Sequence, residues 1–478
     1  MKIAIAASEA APFSKTGGLG DVMQALPEAL SQISGNTVCL FLPYYSRVKY
    51  NPDFECEFVT SFAINLVWRK SHVGLFRLKS RRKKLQIYFI DNEQYFNRDG
   101  TYGYQDDGER FAYFSKAVLA CMNYLGYKPD VLQCNDWQTA LIPVLLRSEF
   151  RPCFPDTKCI FTIHNIEYQG WADLNFNADV LGLDGSWLDT LRYGNAINFM
   201  KSAIISADAV STVSETYAKE LQYPYFSHGM SDVLRMRAED FYGITNGIDI
   251  TVFDPAASKN LVAHYTAATM AEGKAKNKAA LQKELGLDVK PEVPLYAIVS
   301  RLAGHKGVDL LCYICDQFMS KDAQLAIIGT GEAQYEHGLT ALAAKYPGKM
   351  VVRLAFDPAL ADRVYAGADA YLMPSKSEPC GLSQLIAMHY GTVPVVHATG
   401  GLNDTVKPYD AETGEGCGFT FERYNGEDFL ETVENSMKLF ANDRKAWNEL
   451  AAKDMTLDVS WNAPARKYME MFEKVLNK

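Results

Sequence analysis

Short apolar runs that alternate with helical segments constrain the fold of this chain more than any other feature. The first block contains the runs KIAIAAS, TVCLFLP, LQIYFID, DVLQCN, KCIFTIHN and DAVSTVS, with helical segments between them, such as the one over 109–125. Short runs of this kind are typical of parallel strands that are covered by helices on both faces. One stretch, TSFAINLVWRKSHVGLFRLK, alternates apolar and polar residues and predicts a meander of strands.

The alternation stops in the middle of the chain and then restarts. Residues 254–294 are polar and rich in alanine and lysine, and they predict a connecting segment with some helix. After it come the runs LYAIVS, QLAIIG, MVVRLAF, DAYLMPS and TVPVVHA, again with helical segments between them. The tail SWNAPARKYMEMFEKVLNK has the pattern of an amphipathic helix.

A chain of 478 residues is too long for one ordinary core, so we predict an α/β protein with two large domains. The first is a Rossmann-like domain over 1–253, and the second is a Rossmann-like domain over 254–456 that includes the connecting segment. The C-terminal helix, 457–478, is expected to pack back on the N-terminal domain. Ligands of such sheets bind beyond the carboxyl ends of the strands, so we expect a cleft between the two domains.

Composition excludes several classes of protein. The net charge of −9 argues against a nucleic-acid binder with a broadly basic surface. Apolar runs are too short to span a membrane, and IAIAA near the N-terminus is too short for the core of a signal peptide. The ten cysteines form no paired ladder, which favours reduced thiols in the cytoplasm. Cys312 and Cys315 lie in an apolar helical segment, where packing in the core is a better interpretation than a metal or redox site.

A lysine and three glycines follow the first predicted strand in SKTGGLGDV. Glycines allow close approach of the backbone to a ligand, and the helix that follows offers free N–H groups to an anion. The spacing fits neither a GxGxxG dinucleotide fingerprint nor a Walker A loop, because the lysine, Lys15, precedes the glycines. On its own the stretch fits a glycine-rich turn with an exposed lysine equally well.

Polar residues also follow other strands of the first block. Asp136 comes after VLQCN, and His164 with Asn165 comes after CIFTI. A single polar residue at such a place is more often a cap or a satisfied core group. Several of them at one edge of a parallel sheet favour a binding site instead.

The strand ends of the second block carry charge and glycine. Arg301 and Lys306 lie just past its first strand and beside the start of a helix, which is a strong anion site or, more simply, a solvated basic loop. Glu378 precedes a glycine and a helix, and the turn 399–401 offers further backbone N–H groups. Phe356 ends the run MVVRLAF, where a flat base could stack.

The order of these motifs resembles a known family. KTGGLGDV, NDWQTALIP, TIHNIEYQG, VSETYAKEL, TNGID, SRLAGHKG, PSKSEPCGL and TGGLNDTV cover nearly the whole chain. Together they are similar to the glycogen and starch synthases, which are retaining GT-B glycosyltransferases of family 5. The resemblance implies two Rossmann-like domains facing a central cleft. It also implies transfer of glucose from ADP-glucose to the non-reducing 4-hydroxyl of an α-1,4-glucan, with retention of configuration.

The resemblance also implies roles for single residues. The catalytic set that it implies is Glu378, His164, Arg301, Lys306 and Asp136. The residues that it places at the nucleotide sugar are Lys15, Gly17, Gly18, Asn246, Arg301, Lys306, Phe356, Glu378, Cys380, Gly381, Thr399, Gly400, Gly401 and Leu402. At the acceptor glucan it places Asp136 and Tyr95. It implies ADP-glucose and glucan as partners, with no metal, pyridoxal phosphate, nucleic acid or membrane.

Other activities remain open on the residues alone. A glycoside hydrolase could use Asp136 and Glu378 as its two carboxylates, although it has no need of diphosphate-binding cations. A phosphorylase would need a lysine that carries pyridoxal phosphate, and a glucan-binding protein would bind polymer without turning over a donor. A dehydrogenase is disfavoured by the spacing of both glycine loops. The preference for ADP-glucose over UDP-glucose comes from the resemblance alone.

Overall fold

The structure, a computed structural model, describes residues 1–80 and 82–478. The chain forms two compact units: an N-unit of Met1–Asn246 with Trp461–Lys478, and a C-unit of Gly247–Ser460. The boundaries expected from the sequence, after residues 253 and 456, lie close to this division.

The strands of the N-unit are β1 (Lys2–Ala6), β2 (Thr37–Pro43), β3 (Cys56–Leu66), β4 (Arg69–Leu78), β5 (Leu85–Asp91), β6 (Val131–Asn135), β7 (Lys158–Ile163), β8 (Trp171–Ala172), β9 (Arg192–Tyr193), β10 (Ala196–Asn198), β11 (Ala209–Thr212) and β12 (Phe241–Gly243). The large sheet has the order β12-β11-β7-β6-β1-β2-β5-β4-β3, and a small sheet has the order β8-β10-β9. Within the large sheet the pairs from β5 to β12 are parallel, whereas β3, β4 and β5 pair antiparallel as the predicted meander.

The α-helices of the N-unit are α1 (Gly18–Gln32), α2 (Ser46–Lys49), α3 (Glu93–Phe96), α4 (Asp107–Tyr124), α5 (Leu141–Ser148), α6 (Leu188–Leu191), α7 (Phe199–Ser206), α8 (Glu215–Glu220) and α9 (Ser231–Arg235), together with the C-terminal helix, called αC (Asn462–Leu476). The apolar face of αC, which includes Tyr468, Met471 and Phe472, is buried in one hydrophobic cluster with Leu26 of α1 and Ile5 of β1. The C-terminal helix thus belongs to the N-unit core.

The strands of the C-unit are β13 (Leu295–Val299), β14 (Gln324–Ile328), β15 (Met350–Arg353), β16 (Ala370–Met373), β17 (Val393–His397) and β18 (Phe419–Phe421), in the order β15-β14-β13-β16-β17-β18. Each neighbouring pair is parallel. Its α-helices are α10 (Met270–Leu285), α11 (Val308–Met319), α12 (Ala333–Lys345), α13 (Pro358–Gly367), α14 (Ser383–His389), α15 (Gly400–Thr405), α16 (Gly426–Asn442) and α17 (Arg444–Asp454).

The parallel part of each sheet reverses its strand order once, and these two points place the candidate sites. The C-unit follows the Rossmann order, with the reversal between β13 and β16, and the N-unit reverses between β1 and β6. The crevice beyond the carboxyl ends of the two strands at such a switch point is where ligands bind in open α/β sheets. The residues after β1 and β6, and after β13 and β16, are therefore those with the best access to a ligand of each unit.

The buried strands explain why sequence patterns located them well. In β1, only Lys2 is exposed, and the other four residues are buried because helices cover both faces of the sheet. The predicted doubly wound α/β organisation is confirmed in both units. The predicted strand MVVRLAF is too long, because β15 ends at Arg353 and Phe356 lies in the loop before α13.

Two further observations concern classes of site. Cys315 of α11 is buried among C-unit core residues, and Cys312 packs partly buried against the same core. Within residues 1–80 and 82–478, no cluster of three or more His, Cys, Asp or Glu side chains is arranged to hold a metal ion. Over the same residues, every helix is too short or too polar to cross a bilayer.

Candidate functional site

The turn that follows β1 wraps around a carboxylate of the protein itself. Glu9 Oε2 accepts a hydrogen bond from the N–H of Thr16 at 2.7 Å, and Oε1 accepts from those of Gly17 and Gly20 at 3.3 and 3.2 Å. We call these three N–H groups the amide cradle. Glu9 is buried, and its burial raises the pKa of the carboxyl while the cradle opposes the rise. The expectation of free N–H groups for an incoming anion is therefore corrected for these three, because Glu9 already occupies them.

Lys15 leaves this turn toward the start of α1. Its Nζ lies 2.7 Å from Oδ1 of Asp21, and both side chains are partly exposed. A Cβ on Gly20 would lie 3.0 Å from Cγ of Lys15, so glycine at this position leaves room for the lysine. A Cβ on Gly17 would find its nearest described neighbour, Glu9 Oε1, 3.9 Å away, which agrees with the backbone room predicted there. The cation of this turn is thus held by a carboxylate that an anionic ligand could replace.

Asp136 follows β6, on the other side of the N-unit switch point. Its backbone has a φ of 57°, a strained conformation for a non-glycine residue. Its Oδ1 accepts hydrogen bonds from the N–H groups of His164 at 2.7 Å and Asn165 at 3.3 Å. Burial raises the pKa of Asp136 to about 7 despite these hydrogen bonds, and the charge of Glu9 adds to the rise. A carboxyl that has a strained backbone and a pKa near neutrality, and that lies at a strand end, is typical of a functional residue.

His164 lies beside Asp136 at the end of β7. Its Nε2 is 2.9 Å from Oδ1 of Asn135, and the Asn135 amide nitrogen donates to the carbonyl oxygen of Ala6 at 3.0 Å. Because an amide oxygen accepts but does not donate, this contact assigns the imidazole proton to Nε2. Burial lowers the pKa of His164 to about 3, so the ring is neutral at physiological pH and its Nδ1 is an acceptor. The structure therefore brings Asp136 and His164 together, as the sequence predicts.

The C-unit switch point joins two of the predicted residues directly. Lys306, after β13, places its Nζ 2.7 Å from Oε2 of Glu378, after β16. The same oxygen of Glu378 accepts a hydrogen bond from the hydroxyl of Ser375 at 3.0 Å. His397, which is buried, contacts this loop: its Nδ1 lies 2.7 Å from the carbonyl oxygen of Ser375. Burial lowers the pKa of His397, and the carbonyl oxygens of Ser375 and Glu422, which face its two ring nitrogens, oppose this fall.

The two glycine motifs of the C-unit pack against each other. The N–H of Gly401, in the first turn of α15, donates to the carbonyl oxygen of Glu378 at 3.0 Å. A Cβ on Gly401 would come within 2.1 Å of the carbonyl oxygen of Cys380 and 2.4 Å of its Cα. The predicted role of Gly401 at the phosphates is therefore corrected for its N–H, which holds the Glu378 loop. Its lack of a side chain permits the close approach of α15 to that loop.

Replacement of Gly401 by alanine is expected to destabilise the protein by about 3 kcal/mol, because overpacking against backbone atoms cannot be relieved by rotation of a side chain. Gly338→Ala is the matched control, since Gly338 also lies in a C-unit helix and a Cβ there would have no described neighbour within 4 Å. That control should be neutral or stabilising by up to about 1 kcal/mol. Thermal unfolding of both variants measures the difference, and equal stability would contradict the close packing described here.

The remaining predicted C-unit residues lie at the same edge of the sheet. Arg301 is exposed just past β13, and Phe356 is 82% exposed in the loop after β15. Thr399 precedes α15 and, like Leu402 within it, is buried. Cys380 is buried, and Gly381 and Gly400 adopt positive φ angles of 72° and 46°. Their neighbour Gly401 contacts the Glu378 loop, while the Arg301 cation and the Phe356 ring are exposed to solvent.

Tyr95 and Asn246 differ in how well they fit their predicted roles. Tyr95 is 1% exposed and its hydroxyl donates to Glu109 Oε1 at 2.5 Å, which corrects its expected contact with an acceptor. The ring of Tyr95 packs in the core beside that of Tyr113. Asn246 is buried, and its Oδ1 has no hydrogen-bond partner among the described residues. Such an atom is a good candidate for a hydrogen bond from a ligand.

Sequence reasoning missed the residues that support the site. Glu9 holds the turn after β1, Asp21 holds Lys15, and Ser375 with His397 holds the loop of Glu378. Glu9 had a visible signal, because a carboxylate directly after the apolar run of β1 is as unusual there as Asp136 after β6. His397 lies in the run TVPVVHA and ends β17, but its contact with Ser375 joins two strand ends and no local pattern shows it.

Comparison with known proteins finds family models and relatives that match most of the chain. Residues 2–236 match the family model of the starch synthase catalytic domain, and residues 278–454 match that of glycosyl transferases group 1. The chain is 42% identical to the glycogen synthases of Ligilactobacillus salivarius and Clostridium acetobutylicum and 43% identical to that of Exiguobacterium sibiricum. These alignments cover 99% or 100% of each chain.

Solved structures show the same likeness. The catalytic domain of starch synthase IV from Arabidopsis thaliana, bound to ADP and acarbose, is 32% identical, with a TM-score of 0.92 over 100% of this chain and 99% of that one. The sucrose-phosphate synthase of Thermosynechococcus elongatus is 18% identical, with a TM-score of 0.62 over 100% of this chain and 99% of that one, and shares the fold.

Proposed function

The chain belongs to the glycogen and starch synthase family of glycosyltransferases, and from this premise we propose that it transfers glucose from ADP-glucose to an α-1,4-glucan. The glucan receives the glucose at the 4-hydroxyl of its non-reducing end, with retention of the anomeric configuration. The relatives that match the chain over its full length are named glycogen synthases.

The observation that carries the chemistry of the proposal is the ion pair of Lys306 and Glu378 at the C-unit switch point. A diphosphate next to Lys306 competes with Glu378 for the ammonium, and the released carboxylate can accept hydrogen bonds from glucose hydroxyls. Arg301, exposed beside them, supplies a second cation for the diphosphate. Phe356 offers an exposed ring on which the adenine could stack. We propose that the buried turn 399–402 lies at the phosphates through Thr399 and Gly400.

Residues of the N-unit complete the proposed chemistry. Lys15 exchanges Asp21 for the anionic group of the donor, and the exposed Gly17 and Gly18 admit the ligand to the backbone. Asp136 and the neutral His164 bind sugar hydroxyls, Asp136 at the acceptor as well. The unpartnered Oδ1 of Asn246 accepts a further hydrogen bond from the donor.

The proposed step breaks one bond and forms one bond at C1 of the glucosyl group. The bond from C1 to the diphosphate oxygen breaks, and its electron pair leaves on that oxygen as ADP. The 4-oxygen of the glucan bonds to C1 from the same face, and its proton passes to the departing phosphate oxygen. Lys15, Arg301 and Lys306 stabilise the charge that grows on the diphosphate, and each preorganised donor of this kind contributes about 10²–10³ in rate.

Analysis of the product by NMR tests the proposed reaction. Maltoheptaose incubated with ADP-glucose should gain one new α-1,4 anomeric signal for each ADP that is released. A new β-anomeric signal would contradict retention, and release of free glucose without extension would indicate hydrolysis. A glucosyl group trapped covalently on Glu378 or Asp136 would contradict attack from the same face without a protein nucleophile.

We propose that neither a metal ion nor pyridoxal phosphate takes part, because protein cations can offset the charge of the diphosphate. Treatment of the purified protein with EDTA should therefore leave kcat within about twofold of its untreated value, as expected where no bound ion stabilises the transition state. A loss that Mg²⁺ restores would contradict this part of the proposal. We also propose a cytoplasmic location, since no cysteine of the described residues forms a disulfide.

The pH dependence of acceptor use is expected to follow Asp136. Because its pKa lies at about 7, the residue is protonated below that pH and is a carboxylate above it. Only the carboxylate can accept hydrogen bonds at both oxygens and offset positive charge at C1, so kcat/KM for glucan should rise as pH increases through about 7. His164, with its pKa at about 3, stays neutral over this range. Asp136→Asn should be less active and should lack this rise, and an unchanged profile would contradict the assignment.

A further inference from the structure

We infer that Glu9 is a positioning residue for glucosyl transfer: by filling the amide cradle, it fixes the turn from which Lys15 binds the donor. The inference deepens the proposed function and rests on it. Lys15 is the residue that meets the ligand, and Glu9 acts through the turn that carries it.

The contacts of Glu9 span the whole turn. Its two carboxylate oxygens accept from the N–H groups of Thr16, Gly17 and Gly20, so the backbone that follows Lys15 is tied to one buried side chain. Glu9 is 3% exposed, and a buried carboxylate with three N–H partners is held in one geometry. The hydroxyl of Ser14 also lies 3.2 Å from that of Thr101, which fixes the residue before Lys15 from outside the turn. Lys15 therefore extends from a backbone that is fixed on both sides.

A carboxylate in the amide cradle also decides which group meets an anion. Backbone N–H groups that converge at the start of a helix form an anion site of their own. With Glu9 in place, the cradle is filled and the partial positive charge of its N–H groups is offset by the carboxylate. A phosphate group is therefore directed to the ammonium of Lys15 instead. The glycine at position 20 then serves the same purpose, because it leaves space for the stem of Lys15. Glu9 thus supplies both the shape of the turn and the choice of Lys15 as the ligand-binding group.

A double-mutant cycle separates this role from a general effect on folding. Glu9→Gln keeps the size of the side chain but points an amide N–H₂ group at the N–H donors of the cradle. We expect this variant to lower kcat with ADP-glucose by about 10²-fold and to leave KM for glycogen within about twofold of the wild-type value. In the Lys15→Ala background the same change should lower kcat by less than about threefold, because its effect passes through Lys15. The inference would be overturned if the losses of kcat in the two single variants multiplied in the double variant. It would also be overturned if kcat of Glu9→Gln were within about twofold of the wild-type value.

Glu28→Gln is the matched control for the cycle. Glu28 lies on α1 with one oxygen 2.6 Å from Nη1 of Arg82, away from the cradle, and its replacement should leave both constants unchanged. Glu9→Asp keeps the charge on a stem shorter by one methylene and should retain more activity than Glu9→Gln. If Glu9→Gln does not fold, Glu9→Asp takes its place in the cycle, with the same non-additivity expected and the same multiplication overturning the inference.

Amide hydrogen exchange gives a readout that needs no turnover. In Glu9→Gln, the amides of Thr16, Gly17 and Gly20 should exchange at least tenfold faster than in wild type, while those of β1 keep their protection. Unchanged exchange at the turn would overturn the inference. Wild-type protein that transfers no glucose would instead show failure of the proposed function, and the exchange data would still decide whether Glu9 fixes the turn.

Discussion

Glu378→Gln is expected to lower kcat for transfer from ADP-glucose to glycogen by about 10³-fold. The substitution keeps the volume of the side chain but removes the negative charge that pairs with Lys306 at 2.7 Å and that is proposed to hold glucose hydroxyls. It also leaves Lys306 beside an amide in a partly buried position, where the lysine is no longer held for the diphosphate. Initial-rate kinetics at saturating glycogen measure the loss.

The control for this prediction is Glu434→Gln. Glu434 and Lys321 form an ion pair of similar length, 2.8 Å, on the surface of the C-unit, and Lys321 precedes β14 rather than following the carboxyl end of a strand. Surface pairs contribute about 0–1 kcal/mol, so this variant should keep wild-type kcat and nearly wild-type stability. If Glu378→Gln and Glu434→Gln were equally active, Glu378 would have no part in the reaction and the C-unit site would have to be assigned elsewhere.

Lys15→Ala is expected to lower kcat/KM for ADP-glucose by about 10²–10³-fold and to weaken inhibition by ADP. The physical reason is the loss of a cation that has no role in the core: Lys15 is partly exposed, it pairs with Asp21, and Gly20 leaves space for it. Removal of one preorganised donor from a developing oxyanion has an effect of this size. Steady-state rates and ADP inhibition constants for wild type and variant measure both effects.

A lysine elsewhere in the N-unit provides the comparison for Lys15. Lys116 forms an ion pair of the same length, 2.7 Å, with Glu149, and it lies on α4 rather than in a strand-end turn. Lys116→Ala should keep the activity of wild type. Equal activity of Lys15→Ala and Lys116→Ala would show that the turn after β1 does not bind the donor, and it would also remove the basis for the role inferred for Glu9.

The fold was predictable because most of its parallel strands are short apolar runs buried on both faces and alternate with helices. That pattern located β1, β6, β13 and β16. The segments that follow these strands contain Lys15, Asp136, Lys306 and Glu378, respectively. Position after a strand is a local property of the sequence, and parallel pairing brings such positions to one edge. Phe356 was placed in a strand because LAF extends the apolar run, although the chain leaves the sheet at Arg353.

What could not be predicted depends on contacts between loops that are distant in sequence. Glycines in KTGG and TGGL suggest open anion cradles, yet the N–H of Gly17 donates to Glu9 and that of Gly401 donates to the carbonyl of Glu378. Both glycine motifs are thus partly structural. The TGGL motif also holds the loop of a third motif, EPCGL, which contains Glu378. Tyr95 was misplaced for a similar reason, because its hydroxyl finds Glu109 within the protein.

The burial of charge at the two switch points is a further property that sequence does not reveal. Asp136 and His164 were expected beside the sugar, but their protonation follows from burial, which raises the pKa of the first to about 7 and lowers that of the second to about 3. Burial disfavours the charged form of each group, so the pair is less charged than free side chains would be. A neutral imidazole can accept a hydrogen bond from a sugar hydroxyl at Nδ1, which a charged ring could not.

The most direct test of the account is transfer of radiolabelled glucose to glycogen by the wild-type protein, with ADP-glucose and UDP-glucose compared at equal concentration. The account predicts label in the polymer from ADP-glucose, at a rate at least tenfold above that from UDP-glucose. A clear preference for UDP-glucose would contradict the assigned donor but leave the transfer reaction. Absence of label from both donors, with protein that is folded and binds glycogen, would contradict the central claim that this chain is a glucosyltransferase.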